Sequence, residues 1–232
     1  MKTNDAHNSR SLFQLIDLDR TLFNTVRFVE LITDEINQSE PGFGASLQRE
    51  FETAYAEGRT FFMFRQLRQD KGDVWVEALV ANVVGKHGAD SFLMPGARRR
   101  IEQAALLTDE TPAWGVLTYG DQIDQYMKLR IIGLENAPTY ITRTPHKGGI
   151  IQDWAQPGGG FKLPEVFGGA IVDYLSLEDD KLIAFYDMPA GVLGLWLTQE
   201  AHAKELLAEE DLGYVRAVHS LHESLEVLSK RG

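Results

Sequence analysis

Asp17 and Asp19 stand two residues apart at the end of the apolar run Leu12–Ile16, and Thr21 follows two residues later. Two carboxylates this close repel each other. A cation between them relieves the repulsion, and so does a proton kept by one of them. Either remedy is chemically useful. The same pattern recurs downstream, where short apolar runs end in polar residues. Residues 114–117 run into Thr118, Tyr119 and Gly120. Lys147 follows the run 139–143 and precedes an apolar helix start at Ile150. Residues 167–172 run into Asp173, with Glu178, Asp179 and Asp180 close behind.

These residues need elements to position them. Leu12, Phe13, Leu15 and Ile16 form a short buried strand bounded by polar sequence. It delivers both acids to the C-terminal edge of a sheet, where open α/β sheets place ligands. From Thr25 onward the apolar spacing is helical: Val26, Val29, Ile32 and Ile36, then Phe51 and Tyr55, then Trp75 to Val84. A break falls at Glu40-Pro41-Gly42, and Pro95-Gly96 closes the region. No strand is expected between residues 24 and 94. The remainder alternates strand and helix: strands at 114–118, 139–143, 167–173 and 192–198, helices at 97–107, 122–132, 200–209 and 221–229. Gly133 stands at a helix C-cap, and Ser220 with Glu223 forms a capping box. That alternation predicts an α/β fold.

Composition narrows the functions. The 232 residues suffice for one large domain, or a core with a smaller domain. Acids outnumber bases 34 to 23, and the net charge of −11 argues against nucleic acid and anionic membrane as partners. A small anionic substrate stays compatible, because a pocket can be locally positive on an acidic protein. With no cysteine, there is no disulfide, thiolate metal site or cysteine nucleophile. The polar start, Met1 to Ser11, lacks a signal-peptide core, and no apolar run approaches the roughly 18 residues of a membrane span. A cytoplasmic protein is the expectation.

Other candidates read more simply as structure. Phe61, Phe62 and Phe64 suit the core of a small helical unit, although Phe61, Phe64 or Arg65 could face a site and select a substrate. Arg98, Arg99 and Arg100 read as a solvated helix face. Lys128, inside the helix 122–132, reads as solvated. His146 beside Lys147 reads as a loop residue, and His219 and His222 as surface residues. The glycines at 158–160 form a loop, since no P-loop pattern follows them.

Asp17, Asp19 and Thr21, then Thr118, Lys147 and Asp173, resemble in order the four motifs of the haloacid dehalogenase-like (HAD) superfamily. Leu-Met-Pro-Gly-Ala at 93–97 is similar to the close of a C1-type helical cap. The resemblance implies a three-layer, Rossmann-like α/β core with a parallel sheet, formed by 1–23 and 95–232, and a helical cap at 24–94. It implies a magnesium-dependent phosphatase acting on a small phosphorylated metabolite through an aspartyl-phosphate. In that scheme Asp17 is the nucleophile and Asp19 the acid and base. Thr118 and Lys147 hold phosphoryl oxygens, with backbone N–H groups of Tyr119 and Gly120 as further donors. The metal is held by Asp17, the backbone carbonyl of Asp19 and Asp173, with Glu178 as the second acid of the fourth motif. Asp179 and Asp180 are the other candidates for that place. Two departures stand out. The fourth motif is irregular around Asp173, and Arg20 occupies a slot where many members carry Gly. A phosphomutase is the alternative in the same class, and a non-catalytic binding protein of the same fold is the alternative outside it.

Overall fold

The structure, a computed structural model, describes residues 11–57, 59–104, 106 and 112–230. Its centre is β1 (Leu12–Ile16), whose residues alternate between two buried faces. Phe13 and Leu15 point into one apolar cluster and Ile16 into another, as the two-residue period of a strand requires. Parallel pairing on both sides places β1 inside a six-stranded sheet. On one side lie β2 (Trp114–Tyr119) and then β3 (Thr139–Thr142). On the other lie β6 (Tyr174–Asp179), β7 (Val192–Leu197) and β8 (Val215–Val218), after a small antiparallel pair, β4 (Phe161–Lys162) and β5 (Ile171–Val172). The order is therefore β3-β2-β1-β6-β7-β8, every pair parallel.

Helices cover both faces. The cluster around Ile16 and Val116 takes residues from α5 (Ala97–Ala104), α6 (Gln122–Ile131) and α9 (Leu221–Ser229). The opposite cluster, with Phe13, Leu15 and Leu117, takes them from α7 (Lys147–Gln152) and α8 (Ala203–Glu209). The core is the expected three-layer α/β arrangement.

Between β1 and α5 the chain forms α1 (Thr25–Ser39), α2 (Pro41–Ala56), α3 (Met63–Lys71) and α4 (Asp73–His87), with no β-strand among the described residues. Asn24 caps α1 through Arg27 N–H (3.1 Å). Phe28, Phe64 and Phe92 pack as a ring cluster that reaches, through Phe23, the apolar cluster holding Ile16. Asp124 of α6 accepts the backbone N–H of Arg65 in the first turn of α3 (3.0 Å), a cap supplied across elements.

Two expected elements change. The strand expected over 167–173 is a 3-10 turn, Glu165–Phe167, then the two-residue β5. The long strand is instead β6, and it ends at Asp179. The edge strand β8 was not among the expected elements. The helix expected over 97–107 ends at Ala104, and part of 105–111 lies outside the described residues.

Candidate active site

Strand order reverses beside β1, so the crevice at the C-terminal ends of β1 and β6 is the topological switch point of this sheet. Ile16 pairs with Glu178, and Asp17 N–H donates to the Glu178 carbonyl (2.9 Å). Continuing that register sets Asp17 level with Asp179, at the sheet edge. One carboxylate oxygen each from Asp17, Asp179 and Asp180 lie within 4.8 Å of one another. Three hard oxygen donors so close suit a divalent cation such as magnesium, and the donor set fits that ion.

Lys147 begins α7 and is buried, its ammonium bonded to both Asp17 and Asp179. Gly148 permits this approach, because a Cβ there would lie 2.1 Å from the Tyr186 carbonyl oxygen. Burial pushes the Asp17 carboxyl up to about 7. Lys147 opposes the shift, while Asp179 and Asp19 add to it. The Lys147 ammonium is pushed up: burial works against its charge, and the two carboxylates outweigh burial. Burial also raises Asp180, helped by Asp179 and opposed by Arg20.

Asp19 sits in a second polar cluster. Its carboxylate accepts from Lys128 Nζ (2.6 Å), Gln125 Nε2 (2.9 Å) and the Thr25 hydroxyl. Burial alone would raise this group, but Lys128 and the two hydrogen bonds hold it down at about 2. Gly120 makes room for the arrangement. A Cβ there would fall 2.2 Å from Gln125 Nε2, which also donates to the Tyr119 carbonyl (2.9 Å).

One cavity joins the two clusters. Asp17, Asp19, Tyr119, Lys147, Asp179 and Asp180 line it on the sheet side. Phe51 and Tyr55 of α2 and Phe61 before α3 line it on the helical side. Four carboxylates there face five cations, Arg20, Arg59, Lys128, Lys147 and Lys181. Arg59 is itself paired with Glu57, so in a chain of net charge −11 the cavity is close to neutral, and an anion is not repelled there.

Some expected residues lie elsewhere. Thr118 is fully buried at the end of β2, outside the cavity wall, and its hydroxyl has no partner. Asp173 is corrected: it precedes β6, at the opposite edge of the sheet, and accepts from the N–H and hydroxyl of Ser11. A strand of six residues, roughly 20 Å by strand geometry, separates it from Asp180. Glu178 is corrected too. It shares the Ile16 face, one step out of phase with Asp179, and forms a fully buried ion pair with Arg100. Arg100 Nε donates to it at 2.8 and 3.1 Å, so Arg100 is not on a solvated face, although Arg98 and Arg99 are exposed. Asp179 and Asp180 take the place expected of Asp173 and Glu178, and the acid pair they make is adjacent.

Among the selectivity candidates, Phe61 lines the cavity. Phe64 is buried against Phe28, and Arg65 points toward Asp121 (3.9 Å). His146 is exposed, His219 bonds the Thr198 carbonyl (3.0 Å) and His222 faces Glu226 (3.4 Å). Lys128, expected to be solvated, is instead buried on Asp19, and sequence reasoning missed Gln125 and Thr25. A lysine in the last turn of a helix gives no sign of turning inward, but Lys128 and Gln125 share a helical face with Asp121 and Asp124.

No protein-family model matches the sequence, and no curated protein is significantly similar to it. Solved structures are similar in fold. A haloacid dehalogenase-like hydrolase of Burkholderia xenovorans LB400 is 18% identical with a TM-score of 0.59, covering 92% of this chain and 97% of that one. The HAD-hydrolase YfnB of Bacillus subtilis, solved bound to magnesium, is 16% identical with a TM-score of 0.54, covering 94% and 99%. The chain has the fold of the HAD-like hydrolases. No helix among the described residues is long and apolar enough to cross a membrane.

Proposed function

We propose that this chain, a protein of the HAD-like hydrolase fold, is a magnesium-dependent phosphatase of a small phosphate monoester. The observation that carries the reading is the meeting of Asp17, Asp19, Lys147, Asp179 and Asp180 in one cavity at the switch point. The adjacent Asp179 and Asp180 also remove the motive for a non-catalytic reading, which rested on an irregular acid motif at Asp173.

Asp17 is the nucleophile. One of its oxygens bonds to phosphorus while the ester oxygen leaves, giving an aspartyl-phosphate. Water then attacks phosphorus, the bond to Asp17 breaks and phosphate departs. Asp19 serves both steps, giving a proton to the leaving oxygen and taking one from the water. Lys128 holds Asp19 ionised in the free protein. The proton that Asp19 passes to the leaving oxygen would therefore be brought by the substrate monoanion. Lys147 offsets charge on Asp17 and on the phosphoryl group. Asp17, Asp179 and Asp180 would hold magnesium, which supplies positive charge to a crowded anionic centre.

YfnB, of the same fold, was solved with magnesium, which supports this choice of ion. The helices between residues 24 and 94 act as the cap, with Phe51, Tyr55 and Phe61 excluding water from the reacting atoms. A near-neutral cavity admits a small anionic partner, and the net charge of −11 disfavours a nucleic acid. Release of phosphate from a broad phosphomonoester panel, with and without magnesium, tests the reading. A panel with no release under either condition contradicts it.

A further inference from the structure

Arg20 has a backbone φ of +61°, the left-handed region that a non-glycine residue occupies at a cost. The turn is held by Arg20 N–H on the Phe23 carbonyl (2.7 Å) and by Leu22 and Phe23 N–H on the Leu18 carbonyl (3.0 and 2.8 Å). It sends the side chain across the sheet edge. There the guanidinium pairs with Asp180, and its Cζ lies 4.7 Å from the centre of the Tyr55 ring in α2. Asp180 is one of the three acids that converge to suit a cation.

Each acid of that triad already has a cation: Lys147 on Asp17 and Asp179, Arg20 on Asp180. The two cations differ in freedom. The Lys147 side chain is 3% exposed, wedged between two carboxylates, whereas Arg20 is 23% exposed and lies at the same time on the Tyr55 ring, a contact that can hold it without Asp180. A divalent ion and a guanidinium on the same carboxylate repel each other strongly. The cation able to give way is Arg20.

We infer that Arg20 is a built-in counter-ion of Asp180, which a divalent cation must displace, so that Arg20 weakens and sets the metal affinity of the site. The inference rests on the metal site proposed above. It gives Arg20 a role as a positioning residue, holding Asp180 in place until the ion arrives. The left-handed backbone is then maintained for the side chain, since a glycine would satisfy the turn without it.

Calorimetric titration of the full chain with magnesium tests this without any turnover. Arg20→Gln removes the charge, and Arg20→Gly also removes the backbone cost, so a fold defect in one is checked against the other. Both should bind magnesium about tenfold more tightly than wild type, and Arg20→Lys should stay near wild type. Measurable affinity that is unchanged or weaker in both neutral variants overturns the role of Arg20 and leaves the metal site standing. No binding heat in any protein overturns the metal site and the inference together.

Discussion

Replacing Lys128 with Met removes the cation from Asp19 and keeps most of the buried stem. The Asp19 carboxyl is held at about 2 against an ordinary 3.8, despite burial that pushes it up. A depression of that size stabilises the folded, ionised form by about 2 kcal/mol. The Asp19 side chain is 25% exposed, so solvent screens part of the Lys128 share, which we set at about 1–2 kcal/mol. Because the folded-state value is depressed, this stability is present above pH 3.8 and is lost as pH falls through about 2. Lys128→Met should therefore lower the unfolding free energy by about 1–2 kcal/mol at pH 7, or roughly 2–8 °C in Tm. The gap to wild type should hold from pH 8 to pH 5 and close on further acidification. Urea unfolding of wild type, Lys128→Met, Asp19→Asn and the double variant gives the coupling directly. A coupling below about 0.3 kcal/mol, or a gap that widens in acid, would refute the pairing.

Three further outcomes follow from the same geometry. Arg100→Met or Glu178→Gln leaves one partner of a fully buried ion pair uncompensated and should cost about 3–5 kcal/mol by chemical unfolding, while Arg100→Met with Glu178→Leu should recover much of it. Burial raises Asp17 to about 7 and raises Asp180 as well in the free protein, so magnesium binding near pH 7 should release protons, and fewer by pH 9. Calorimetry in buffers of different ionisation enthalpy reads this release. Asp124→Ala removes the cap on α3 and should cost about 1–2 kcal/mol in thermal unfolding, with hydrogen exchange rising first at the N–H of Arg65.

The sheet centre was legible because β1 is an apolar run bounded by polar residues, and its C-terminal acids sit at the switch point. Lys147 was legible by order, as a lysine opening a helix after a strand. Asp173 and Glu178 were misplaced as site acids for a physical reason. Residues 170–172 are apolar and read as a buried strand, but Ile171 and Val172 pair only with the short β4. The true strand, Tyr-Leu-Ser-Leu-Glu-Asp, alternates like a half-solvated edge, yet Ser176 and Glu178 are fully buried. Arg100, 78 residues away, satisfies Glu178, and no local pattern announces such a partner. Lys128 was hidden for the same reason, since its partner Asp19 is 109 residues away. The inserted helices were readable from their spacing. Which of their aromatic side chains reach the cavity depends on packing, so Phe61 and Phe64, three residues apart, could not be told apart.

The most direct measurement is phosphate release from para-nitrophenyl phosphate by wild type and Asp17→Asn, with magnesium and with chelator. The account predicts magnesium-dependent release by wild type, abolished by chelator and lost in Asp17→Asn. Release that persists in Asp17→Asn, or that ignores chelator, would contradict an aspartate nucleophile in a metal-assisted site.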